Sequence, residues 1–177
     1  MKFFFALLFL VSMLAGCASV EPATQPEEEQ TTEENEAIAP GWFNPLETSR
    51  SDSTTIYGFA LASAPDSAEA VLLAENTAQN NLRYEIDYLA ENTREKLVED
   101  SKGSVYEQAS FIIDLRNTVR DLSLSDATME IESRKSENGV YHVYAKASLP
   151  KNILWSIFSE QFNDSDFLNA FRSSSAE

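Results

Sequence analysis

One thiol and one imidazole are present in this 177-residue chain, and neither has an obvious catalytic companion. Cys17 closes the stretch Leu14-Ala15-Gly16-Cys17, directly behind an apolar run. A structural thiol could lie anywhere in a core. One that follows two small residues at the end of such a run is placed for cleavage of the bond before it and alkylation of its sulfur. His142 falls in a strand-like run opposite Arg134, a surface position with no nucleophile beside it. The five glycines, at 16, 41, 58, 103 and 139, form no phosphate-cradling cluster. With one cysteine and one histidine, zinc has no ligand set. Asn163-Asp164-Ser165-Asp166 offers oxygens for calcium but lacks the rest of an EF-hand loop and its bidentate Glu; it reads as a helix cap at Asp164 or Ser165. Carboxylates are numerous enough to leave a glycosidase-like pair open, but no spacing singles one out. No catalytic residue, metal or cofactor is assigned.

The segment before Cys17 explains the thiol. Met1-Lys2 is a minimal basic start, and Phe3 to Leu14 is apolar except for Ser12. That length suits the apolar region of a signal peptide rather than a membrane span. Residues 1–16 are expected to be a signal peptide cut between Gly16 and Cys17. Leu14-Ala15-Gly16-Cys17 resembles the bacterial lipobox, which implies that Cys17 is diacylated and becomes the new N-terminus. Two or three acyl chains hold lastingly, whereas one is marginal at about 0.8 kcal/mol per buried CH₂. By the same resemblance, Ala18 in place of Asp favours the outer membrane, with the domain facing either periplasm or medium.

Removal of 16 residues leaves 161, and losing Lys2 takes the formal charge from −16 to −17. With 43% hydrophobic residues, that chain can build one modest core. With Cys17 acylated no disulfide can form, so packing alone must hold the fold. The negative charge repels nucleic acid and anionic headgroups and favours basic partners or divalent ions. Some of it is local: Glu21 to Pro40 holds seven glutamates and three prolines with no basic residue. Residues 17–40 are therefore expected to be a lipidated, disordered acidic tether, and residues 41–177 a single domain.

Within that domain, Trp42 and Phe43 precede an Asn-Pro turn and either cap an edge of the core or dock a partner. Thr54 to Ser63 reads as a strand, with Gly58 marking close approach by another element. A long helix follows Pro65-Asp66-Ser67, capped by Ser63 or Asp66. Its inner stripe is Ala70, Ala74, Ala78, Leu82 and Ile86, continued by Leu89, Thr93 and Leu97. Small residues at its start would bring it close to the sheet above Gly58. Tyr84 and Tyr88, one turn apart, fall partly off the stripe; they read first as ordinary amphipathic cover and second as half of a contact surface, and are kept as candidate contact residues. Ser104 to Val119 fits helix or extended chain; the expectation is a short helix leading into a strand at about Val119 to Leu124.

Two alternating runs flank Glu137-Asn138-Gly139 and predict a hairpin. A two-residue loop would set Ile131 opposite Lys146 and mix the faces. A three-residue loop, with Gly139 left-handed, sets Ile131 opposite Ala145, Met129 opposite Ala147 and Glu130 opposite Lys146. The longer loop is preferred.

After Pro150, Lys151 to Phe162 predicts a helix, and Phe167 to Arg172 a last amphipathic turn. Trp155, Phe158 and Phe162 form an aromatic stripe that either folds back on the sheet or serves assembly. The uncharged Tyr57-Gly58-Phe59-Ala60-Leu61-Ala62 is either central in the sheet or pairs with another copy. A homo-oligomer, or docking onto a larger envelope complex, is expected, with Trp42, Tyr84, Tyr88, Trp155, Phe158 and Phe162 as candidate contacts.

In this order, anchor, tether, "YGFALAS", alanine-spaced helix and "YHVYAKASL" resemble the LPP-twenty family of small Gram-negative outer-membrane lipoproteins. The likeness covers roughly Trp42 to Leu149, with Phe59-Ala60 where a second glycine is common. It implies a small antiparallel sheet packed on a long helix, and a non-enzymatic envelope role such as a surface antigen or a factor at the flagellum's outer-membrane passage. It identifies no catalytic residues. The expected fold is α+β with a C-terminal helix. The expected function is a membrane-anchored structural or protein-interaction module; the alternative is a peptidoglycan- or polysaccharide-binding or cell-wall-modifying lipoprotein.

Overall fold

β-Branched and aromatic residues between Thr55 and Ala64 form the strand on which the other elements are laid down. The computed structural model describes residues 39–100 and 105–174; the expectations for Gly16, Cys17, the signal segment and nearly all of the tether lie outside them. Thr55–Ala64 (β2) pairs with Ser49–Ser51 (β1) on one side and Tyr141–Pro150 (β4) on the other. Thr128–Lys135 (β3) lies beyond β4, giving an antiparallel order β1-β2-β4-β3. The helices are Ser67–Glu99 (α1), Ala109–Asp121 (α2), Lys151–Gln161 (α3) and Ser165–Ser174 (α4). The class is α+β, as the patterning predicts. β4 pairs along the whole of β2, whereas β1 pairs only Ile56 to Gly58, so within the uncharged run Ala60 to Ala62 have a strand on the β4 side alone.

One face of the sheet is built for closeness. Gly58, Ala60, Ala145 and Ala147 are buried beneath α1, whose Ala70, Ala74 and Ala78 meet them. A Cβ on Gly58 would lie 2.2 Å from the carbonyl oxygen of Ala78 and 2.3 Å from the amide nitrogen of Leu82. Backbone therefore rests on backbone at this level. The same proximity lets Asn81 Nδ2 donate to the Phe59 carbonyl at 2.7 Å, and Ser49 Oγ donate to Glu85 at 2.8 Å. Asp66 begins the helix, accepting from the Glu69 amide at 2.9 Å. Further along, Ala90 rather than Leu89 is fully buried, because the four-residue step persists one turn longer before a three-residue step brings in Thr93.

The hairpin has the predicted register, with Ile131 opposite Ala145, Met129 opposite Ala147 and Glu130 opposite Lys146. Ser136 N–H donates to Val140 O and Gly139 N–H to Ser136 O, closing a three-residue loop in which Gly139 has φ of 84°. Glu130 and Lys146 form an ion pair on the face away from α1.

The strand expected at Val119 to Leu124 does not form. Phe111, Leu115 and Val119 are buried at four-residue spacing, so the segment is helical through Asp121. At its C-terminal end, the carbonyls of Val119, Arg120 and Leu122 accept from Arg83 Nη1 at 2.7, 2.7 and 3.1 Å, so a side chain of α1 caps α2. Eleven residues on, Arg94 Nη1 donates to the Tyr106 carbonyl at 3.0 Å, ahead of the start of α2. Two arginines of one helix thus fix both ends of the segment that carries the other.

Gly58→Ala should lower unfolding free energy by about 2 kcal/mol or more, because the obstructing atoms are backbone. Urea denaturation measures it; a change below about 0.5 kcal/mol would contradict the described approach. The β1–β2 turn gives a second expectation. Asp52 accepts from the amides of Thr54 and Thr55 at 2.7 and 2.8 Å, from Thr54 Oγ1 at 3.0 Å and from Tyr57 OH at 3.0 Å. These donors, the Thr54 amide foremost, hold its carboxyl down at about 2. A depressed acid stabilises the fold above its unfolded pKa, and that contribution disappears as pH falls from about 4 toward 2. Asp52→Asn should remove this part of the acid-side decline, read as a shallower stability-versus-pH curve in that window.

Candidate functional site

Two surfaces remain where side chains are positioned by the fold without being consumed by it. The first runs along α1. Leu73, Thr77, Tyr84 and Tyr88, at i, i+4, i+11 and i+15, share one side of the helix. Both tyrosines are outside the core, 70% and 61% exposed. The line continues into Glu91 and Glu95. Glu91 is held by Arg94, whose Nη2 lies 2.7 Å from its carboxylate, and that guanidinium keeps the Glu91 carboxyl below the usual carboxylate range. The result is an apolar start, an aromatic middle and an acidic end on a rigid element.

The second surface involves the C-terminal helices. Phe158 and Phe162, expected as partner contacts, are buried in the monomer, which corrects that expectation. The reason is α4. Asp164 accepts from the Phe167 amide at 2.8 Å, starting a helix that turns back so that Phe167 and Phe171 meet α3. Ring centroids of Phe158 and Phe171 lie 5.1 Å apart, those of Phe162 and Phe167 5.1 Å, and those of Phe111 and Phe162 5.4 Å. The Asn163 to Asp166 stretch is thus a cap, as its composition predicts. Trp155 differs from its neighbours: it is half-buried, with the Arg172 guanidinium 5.4 Å from its ring centroid. Its indole N–H is buried without a hydrogen-bond partner.

Trp42 goes elsewhere. It stacks on Phe59 at 6.3 Å, while Phe43 meets Tyr144 edge-on at 5.0 Å. Lys146 Nζ lies 5.0 Å from the Trp42 ring centroid. The pair therefore caps a small aromatic cluster on the sheet face opposite α1. His142, on that same face, pairs across from Arg134 and hydrogen-bonds Ser63 Oγ through Nδ1 at 2.8 Å.

Two depressions complete the surface. A groove of ≈ 560 Å³ between α2 and the α3–α4 corner is lined by Asp114, Asp121 and Asp164 among amides. Asp164 there is engaged as the α4 cap, and Asp121 is paired with Arg120 at 2.9 Å. A groove of ≈ 460 Å³ between α3 and α4 is walled by the half-buried Trp155 and Leu168 over the buried Phe171, beside serines, asparagines and Arg172. Its two sides are 17 residues apart in sequence, and only the position of Trp155 was visible from the aromatic pattern. Lys151, the first residue of α3, was also missed: it is buried, and burial pushes its amine down against the attraction of Asp52 and Glu85. Among the described residues, no group of three or more His, Cys, Asp or Glu is arranged to hold a metal ion, and no helix is long and apolar enough to cross a membrane. No family model, curated protein or solved structure matches the chain.

Phe158→Ala should cost about 3–5 kcal/mol of stability, as for a ring removed from a packed cluster. Tyr84→Ala and Tyr88→Ala should stay within about 0.5 kcal/mol of the parent. Chemical denaturation of the three variants tests the division between core and free surface.

Proposed function

We propose that this chain is a lipoprotein of the LPP-twenty kind, anchored in an outer membrane through acyl chains on Cys17 and acting as a non-enzymatic protein-interaction module of the cell envelope. Leu14-Ala15-Gly16-Cys17 behind the apolar run supports the anchor. The glutamate-rich composition supports a tether, since 24 residues of like-charged chain can span tens of ångströms. One observation carries the interaction role, namely the Tyr84–Tyr88 pair held in the open on α1. Tyrosine supplies large amphipathic contact area at little entropic cost, and a helix face presents it preorganised. The acidic end of the stripe favours a partner with basic groups near its rim. Copies held on one membrane would raise each other's effective concentration, so a weak contact between them could also suffice.

Cys17→Ser should move the full chain from the membrane fraction to the soluble one on cell fractionation; undiminished membrane attachment would refute the anchor. A photocrosslinking residue at position 88 should give a discrete adduct in intact cells, and Tyr84→Glu should abolish it. Crosslinking equally efficient from the exposed Ser173 would refute the tyrosine surface.

A further inference from the structure

We propose that the groove between α3 and α4 binds a carboxylate-bearing sugar, with Trp155 as its apolar wall and Arg172 as its anion contact. At ≈ 460 Å³ the groove has the size of a small-molecule site, which typically spans about 300–1,000 Å³. Its lining is mixed in a particular way. Trp155 and Leu168 offer flat apolar surface for the C–H face of a pyranose ring. Asn152, Ser156 and Asn169 bring neutral groups that both donate and accept. A wholly apolar occupant would leave those groups unmatched, whereas sugar hydroxyls meet them in either role.

The charge is as informative as the polarity. Arg172 is the one ionic side chain lining this groove, in a chain of formal charge −16. Among the described residues it has no ion-pair partner. Its planar fork suits a carboxylate, and it stands 5.4 Å from the Trp155 ring centroid, so one sugar can reach both. This assignment is independent of the membrane anchor and of the tyrosine surface.

The test uses the full chain carrying Trp42→Phe, which leaves Trp155 as the sole tryptophan. The probes are N-acetylmuramic acid and N-acetylglucosamine, which differ by a lactyl ether bearing the carboxylate. N-acetylmuramic acid should change Trp155 fluorescence saturably, with half-saturation in roughly the millimolar range. N-acetylglucosamine should bind about tenfold more weakly or worse, and Arg172→Gln should weaken N-acetylmuramic acid by a similar factor. Arg120→Gln, remote from the groove, should leave the titration unchanged. No saturation, equal affinity for the two sugars, or full retention in Arg172→Gln overturns the proposal. Lactate alone titrating as well as N-acetylmuramic acid also overturns it, since the site would then recognise an anion and not a sugar. Should circular dichroism show that Arg172→Gln fails to fold, Asn169→Asp sets a competing carboxylate in the groove and should weaken binding about tenfold; unchanged affinity there rejects the assignment.

Discussion

The absence of a side chain at Gly58 governs how this molecule is put together. Because a Cβ there would meet helix backbone at 2.2 Å, α1 can lie on β2 only while that position is empty. The surrounding residues obey the same constraint, with Ala70, Ala74 and Ala78 on the helix and Ala60, Ala145 and Ala147 on the sheet, before Leu82, Ile86, Ile56 and Leu149 take over along the contact. Such a contact is rich in dispersion and poor in buried area per residue. Its worth therefore lies in geometry, since two closely seated backbones have few alternative arrangements. The Asn81 to Phe59 bond at 2.7 Å exists because that seating is tight.

Large apolar side chains are then left for other places. On the sheet face opposite α1, Phe59 and Tyr144 are covered by Trp42 and Phe43 from the lead-in. At the far end of α1, the phenylalanines of α2, α3 and α4 form a separate aromatic cluster. The long helix packs between the sheet and the second cluster and carries on its outer side the tyrosines that neither cluster uses. The division frees two kinds of surface: a helix stripe suited to another macromolecule, and a walled groove suited to something small.

What could be read from the sequence was local. The hairpin register followed from one left-handed glycine and one cross-strand ion pair, Glu130 with Lys146, both within a few residues of the turn. Asp66 and the alanine spacing announced α1, and the tyrosines stood out by falling off that spacing. What was not legible depended on distant partners. Val119 to Leu124 has strand-like composition, but three of its carbonyls are claimed by Arg83, 36 or more residues earlier. Phe158 and Phe162 looked available because their cover, Phe167 and Phe171, arrives only after the turn capped by Asp164. The α3–α4 groove has the same origin, since Trp155 and Arg172 become neighbours only through that turn.

The length of α1 has a consequence for how the molecule comes apart. At 1.5 Å per residue, its 33 residues extend about 50 Å, whereas the ten-residue strands beneath it run about 33 Å. The part beyond the sheet is braced by the aromatic cluster and by Arg94 reaching Tyr106. Stripped of that bracing, it is a helix of about 11 residues, which is marginal in water by itself. Melting of the C-terminal cluster would thus carry the end of α1 with it and halt where the sheet begins to support the helix. The packed region would then have two thermal regimes, divided by a seam that crosses its longest helix.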